Sequence, residues 1–529
     1  MDLLQDFAQK DMIEQITILD EIKESGNTQA VPGLLDLYAN PLGDQAVDEM
    51  VYHTLYGLLA GEEARIIQGL GHESPAVRLL CVRRAADVGS GSLKQALVEM
   101  LAKNTDPRML AEIIRSLAGY KDSGLCETLL PFVRHDDYAV AAWAMKALAA
   151  LRDDRVREAF TALINDSDDV KERASGCELR TAMAVENLAS FGDEKTIDFL
   201  IGYIHHANPS FRRVVITSLS TMGEGVLPAL ERCLESGDKD EKIMAANIIG
   251  LTGLKQGADL LVSQFDQVSE PNLKFAMYEA LGRIPSMRSI IGLNDGLAET
   301  DELVLLAVVT GLDHQCNPGV IKVVSEAVAK GDQQSDRIIN AVVTGRATKI
   351  FRELYVAGGQ AEVLMKRLVS GGDPEAVEIF RGVLENIGSG PALADAKRLS
   401  AEKMAVAGEK RLLAADDSKA MLFFYKGVAA DLGMEIVTAE DGKQAFEILQ
   451  TDRNFHLIIT DMNMPNMDGI ELTRKVREQQ DLAALPILMA TTESEQSQTE
   501  RAAAAGVNNF ITKPFNKEDF KAKIAEMFK

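Results

Sequence analysis

The stretch LIITDMNMPNMDG (457–469) decides the fold of the C-terminal part. A short apolar run leads into Asp461, and a turn-rich segment ending in Asp468-Gly469 follows. Such a run, bounded by turn residues and too short for a helix, reads as a strand buried on both faces. That run, HLIIT (456–460), is one of five, the others being RLLAA (411–415), MEIVTA (434–439), PILMA (486–490) and NNFIT (508–512). Amphipathic stretches near 418–432, 442–451, 468–479, 496–505 and 517–527 alternate with these strands. Strand and helix repeated five times predict a doubly wound parallel sheet, whose site lies outside the carboxyl ends of the strands.

The residues at those ends are Asp416 and Asp417 after the first strand, Asp461 after the third, Thr491 after the fourth and Lys513-Pro514 after the fifth. Three carboxylates at one rim repel one another unless a cation joins them, and hard oxygen ligands with open water positions suit Mg²⁺. A lysine and a hydroxyl opposite them supply a positive charge and a donor for phosphoryl oxygens. This is a constellation for phosphoryl transfer. No glycine-rich phosphate loop occurs anywhere, so the chain is expected to supply an acceptor and not to hold ATP.

LLAADDS, LIITDMNMPNMDG, ILMATT and ITKPF stand in order, with spacings of 44, 30 and 22 between Asp417, Asp461, Thr491 and Lys513. Over its whole length, 410–529 resembles a response-regulator receiver domain, a flavodoxin-like α/β fold with a five-stranded parallel sheet. The resemblance implies that Asp461 is the phosphoacceptor. It also implies that Mg²⁺ sits on Asp417, Asp461 and the backbone carbonyl of Asn463, with Asp416 acting mainly through water. Thr491 would hydrogen-bond the arriving phosphoryl group, Lys513 would pair with it, and Lys513-Pro514 would be a cis peptide. Phe510 stands where many chemotaxis-type receivers carry a switching tyrosine, so an aromatic packing switch can remain but a hydroxyl hydrogen bond cannot. Asn463 and Glu493 flank the approach of water to the phosphorus. The same pair in fast-decaying receivers of the chemotaxis type implies a short-lived mark.

Residues 1–345 read as helix after helix. Counted from a turn residue, apolar positions recur at offsets of two, six, ten and thirteen: Val77, Cys81, Ala85 and Val88 from Pro75, or Leu273, Met277, Leu281 and Ile284 from Pro271. Steps of four, four and three trace one face of a helix. The Pro107 and Pro209 starts behave alike, and Asp137 gives Ala139, Trp143, Ala147 and Ala150. With weaker starts at Gln45, Glu178, Lys239 and Asp301, the intervals are 30, 32, 30, 41, 31, 30, 32 and 30. A period near 31 built from two helices is the signature of an α-solenoid, and the segment resembles short bacterial HEAT-like repeats. The long interval implies about ten extra residues around 165–177, either a loop on a binding face or a longer turn. Residues 346–409 read as a helical cap and connector.

Composition narrows the function. Asp plus Glu number 80 against 56 Lys plus Arg, a formal net charge of -24. This acidity disfavours nucleic acid and membrane surfaces, and no apolar run is long enough to insert into a membrane. Five scattered cysteines without a CxxC fit reduced thiols in a cytoplasm. With no output module after helix five, output is expected through the solenoid or the receiver face. The reading is a non-enzymatic response regulator that takes a phosphoryl group from a histidine kinase, its solenoid docking a protein partner whose identity the sequence does not give. The alternatives are a scaffold whose receiver mainly docks partners, and a HEAT-like enzyme of lyase or glycosylase type.

Overall fold

The computed structural model describes residues 4–171, 177–206, 208–357, 359–371, 374–401, 410–464, 466–491, 496–513 and 515–528. Two compact units arise, Met1–Asp166 with Leu179–Phe191, and Ser167–Glu178 with Gly192–Lys529. In the first, the helices Pro75–Val88, Pro107–Ala118, Tyr138–Ala149 and Leu179–Ala189 stack in succession. In the second, Pro209–Ser220, Lys239–Thr252, Pro271–Arg283, Glu302–His314, Gln333–Thr344 and Ala361–Gly371 form one layer. Leu227–Ser236, Lys255–Gln264, Met287–Asp295, Pro318–Ala329, Thr348–Val356 and Pro374–Ile387 form the other. This is a two-layer α-solenoid, each pair burying its apolar stripe against its neighbours.

The periodic residues are its core. Val77, Cys81 and Ala85, Phe211, Val215 and Leu219, and Met277, Leu281 and Ile284 are all fully buried. The Asp137 set is out of register by one. Asp137 is the N-cap, its carboxylate accepting from the Ala139 and Val140 amides, whereas the prolines occupy the first helical turn itself. The buried stripe is therefore Val140, Ala144 and Leu148, while Ala139 is exposed. Within the long interval, residues Asp168–Lys171 form a short helix whose Asp169 accepts from the Glu178 amide at 2.7 Å. Residues 172–176 lie outside the described residues.

Two glycines let successive inner helices meet backbone to backbone. A Cβ on Gly250 would lie 2.7 Å from the Ala280 Cα, and one on Gly282 2.9 Å from the Gly311 Cα. Backbone cannot swing aside as a side chain can. Gly282→Val is expected to cost about 1–3 kcal/mol by forcing the stack apart, read as a lower urea midpoint; an unchanged midpoint would contradict the close approach.

From Arg411 the second unit carries five parallel strands, β1 (Arg411–Ala415), β2 (Glu435–Ala439), β3 (Leu457–Asp461), β4 (Ile487–Thr491) and β5 (Asn509–Thr512), in the order β2-β1-β3-β4-β5. β3 and β4 are buried at every position, as expected where apolar runs fill the middle of a parallel sheet and the site residues Asp461 and Thr491 close them. The chain leaves β1 for β2 on one side and returns to β3 on the other. This reversal opens a crevice at the carboxyl ends of β1 and β3.

Candidate functional site

The acid pocket fills that crevice. Parallel register sets Ala415 beside Thr460 and Asp461 beside Ala490, so the residues that follow β1 and end β3 share one rim. Asp416 is 0% exposed and Asp461 6%. Lys513, just past β5, reaches both: its Nζ lies 2.6 Å from Asp416 Oδ2 and 2.8 Å from Asp461 Oδ1. Asp416 also accepts from the Ser418 amide and from the Tyr425 hydroxyl, each at 3.0 Å. The Asn463 amide donates to Asp461 Oδ2 at 2.9 Å. Thr491 is buried at the end of β4, its hydroxyl 3.9 Å from Met462 Sδ.

Local sequence explains the placement. Gly469 is obligatory, because a Cβ there would meet the Asp461 carbonyl oxygen at 2.1 Å. Asn466 takes a left-handed backbone at φ 61°, a conformation asparagine tolerates better than most residues. Asp468 caps the helix Gly469–Glu478 through the Glu471 amide at 2.8 Å. Tyr425 stands among Phe424, Phe515 and Phe520, and this aromatic group ties the first and last helices of the domain to Asp416.

The pocket holds surplus negative charge. Burial pushes the Asp416 carboxyl up to about 6, opposed by the Lys513 ammonium. Burial also works against the charge on Lys513, but Asp416 and Asp461 outweigh it and hold the lysine above its ordinary range. Asp417 retains accessible surface and lines a cavity of about 200 Å³. Enclosure by protein on its other sides, with Asp461 and Asp416 close by, pushes its carboxyl up to about 7. No hydrogen bond or ion pair reaches that carboxylate among the described residues. Three carboxylates against one ammonium make a donor set that a divalent cation fits. Among the described residues no three His, Cys, Asp or Glu already stand in a metal-binding arrangement, so a cation held by these carboxylates would complete its shell with backbone oxygen and water.

Asp416, Asp417, Asp461, Thr491 and Lys513 thus come together as the sequence placed them. Phe510 is half-buried and packs on the core around Met489 and Val507. Glu493 and Pro514, hence the expected cis peptide, lie outside the described residues. Asn463 does not stand free at the rim: its Oδ1 accepts from Arg212. Around the pocket the helices Pro209–Ser220 and Pro271–Arg283 add groups that the sequence did not flag. Ser210 Oγ donates to Asp468 Oδ2 at 2.8 Å, Arg213 Nη1 to the Met464 carbonyl at 2.9 Å, and Ser418 Oγ to Glu279. One signal was present, since adjacent cations near a helix N-terminus oppose its dipole and call for outside partners.

The response regulator receiver domain family matches residues 412–525, and HEAT repeats match 95–178 and 175–242. By its C-terminal domain the chain belongs to the response-regulator receiver family. A chemotaxis protein CheY homolog of Campylobacter jejuni is 38% identical over 118 residues, 22% of this chain and 91% of that protein. The chemotaxis protein CheY of Pseudomonas aeruginosa is 40% identical over 119 residues, 22% of this chain and 95% of that protein. The solved chemotaxis response regulator CheY4 of Vibrio cholerae is 36% identical, covering 22% of this chain and 98% of that one, with a TM-score of 0.22. These relatives bear on the receiver alone. Among the described residues no helix is long and apolar enough to cross a membrane.

Proposed function

We propose that this chain is a cytoplasmic two-component response regulator that takes a phosphoryl group from a histidine kinase onto Asp461. The observation that carries the reading is Lys513 bridging Asp416 and Asp461 beside the unpaired carboxylate of Asp417. Asp417, Asp461 and the Asn463 carbonyl would hold Mg²⁺, with Asp416 acting through water. Bound there, Mg²⁺ offsets the repulsion between an anionic donor and an anionic nucleophile. Asp461 supplies the attacking carboxylate oxygen. Lys513, already within hydrogen-bond distance of that carboxylate, receives the charge of the phosphoryl oxygens, and Thr491 donates to one of them. Residues 1–345 serve as the HEAT-like protein-docking and output arm, 346–409 as its cap and connector, and 410–529 as the signalling domain. Transfer of a mark, not turnover of a metabolite, is the task this geometry suits.

Full-length protein incubated with acetyl phosphate and Mg²⁺ is expected to gain one phosphoryl group by intact mass, labile to hydroxylamine. Asp461→Asn should abolish the gain, as should chelation of the metal. Undiminished labelling of the variant would overturn the assignment. A receiver that only docks partners would take no label even as wild type.

A further inference from the structure

Arg212 is only 1% exposed, although it carries a guanidinium. Burying an arginine is costly unless partners meet its fork. Its Nη1 donates to the His206 carbonyl at 2.8 Å, and its Nη2 reaches across to Asn463 Oδ1 in the receiver. Asn463 is in turn bound to Asp461 through its amide. This short relay puts the guanidinium one side chain away from the reactive carboxylate. On the other flank, Arg283 ends the helix Pro271–Arg283 and lines the cavity with Asp417, Ser418 and Lys419. Its charge acts favourably on the Asp417 carboxylate. Two cationic forks from the solenoid therefore stand beside the acid pocket, Arg212 on the segment after β3, 251 positions away in sequence, and Arg283 near the segment after β1.

An aspartyl phosphate brings new negative charge and three strong acceptor oxygens to this spot. Planar guanidinium groups match phosphoryl oxygens better than any other side chain. We infer that Arg212 and Arg283 of the solenoid complete the phosphoryl-binding site of the receiver, so that the solenoid itself reads the aspartyl phosphate on Asp461. The inference rests on the proposed phosphoacceptor reading. Arg212 turns from Asn463 to a phosphoryl oxygen by a shift of its terminal group, and Arg283 meets the phosphoryl group through the cavity. Both act as binding groups; bond formation stays with Asp461. Phosphoryl oxygens held by both forks are shielded from attacking water, so the mark outlasts that of a site without them.

The test uses the full chain, labelled with acetyl phosphate and Mg²⁺, freed of donor by desalting and followed by intact mass. Arg212→Ala and Arg283→Ala are expected to lose the label roughly tenfold faster than wild type, the scale of one charge-assisted hydrogen bond. Arg212→Lys should fall between, since it keeps the charge but not the fork. Labelling should raise the melting temperature of wild type and do so less in Arg283→Ala, a readout that a merely structural role would not move. Arg283 is exposed to the cavity, so its variant keeps the test sound if Arg212→Ala fails to fold. Lifetimes and melting shifts equal to wild type in folded variants, or longer lifetimes, would overturn the inference. A wild type that takes no label would instead remove the phosphoacceptor reading beneath it.

Discussion

Lys513→Met is expected to destabilise the receiver by about 3–5 kcal/mol, the usual cost of removing one partner from a buried ion pair. The lysine is 5% exposed and sits between Asp416 and Asp461 at 2.6 and 2.8 Å. Without it, two buried carboxylates face each other with no cation, and Asp416 keeps only the Ser418 amide and the Tyr425 hydroxyl. The cost comes from the stranded charges more than from the lost attraction, so it should shrink when one charge is removed. Asp416→Asn in the same chain is therefore expected to recover a large part of the loss, and millimolar Mg²⁺ a smaller part. Hydrogen exchange of the β1 and β3 amides reports this domain directly. A loss below about 1 kcal/mol, or no recovery in the double variant, would mean that the carboxylates are solvated in place and the pocket is not closed.

The receiver was legible because its chemistry is local to strand ends. Each apolar run ends on a residue that a parallel sheet must bring to one rim, and the observed strands shift from the expected ones by at most one residue. The solenoid was legible through prolines, which mark the first helical turn unambiguously. Where aspartate marks the start, as at Asp137, it caps from outside the helix, and a count begun there slips by one. Beyond the hint of adjacent Arg212 and Arg213 near a helix start, sequence could not reveal the ring around the pocket. Arg212, Arg213, Glu279 and Arg283 look like ordinary surface charges of amphipathic helices. Their partners lie 139 and 251 positions away in the chain for Ser418–Glu279 and Asn463–Arg212, and no periodicity records such a pairing. The same contact changes the meaning of Asn463. Read alone, it is a polar rim residue free to orient water; in the fold its side-chain oxygen is engaged.

Phe160→Ala should produce a loss of similar size with an opposite spatial signature. Phe160 lies on the helix Asp154–Asp166 and is fully buried, and its truncation is expected to cost about 3–5 kcal/mol in transfer and cavity terms. In a solenoid each repeat contacts only its neighbours, so stability is close to a sum of local terms. The cost should therefore be felt by the first unit, where this helix packs against Tyr138–Ala149. That neighbour carries Trp143, the single tryptophan of the chain, beneath the charges of Arg115 and Lys146. Its fluorescence provides a built-in reporter of this unit. The urea midpoint read from Trp143 is expected to fall sharply, while amide protection in β1 and β3 stays at its wild-type level. Equal loss of protection in those strands would show that the chain unfolds as one cooperative body, because nearest-neighbour coupling alone cannot carry a defect at Phe160 through the repeats that separate it from Arg411.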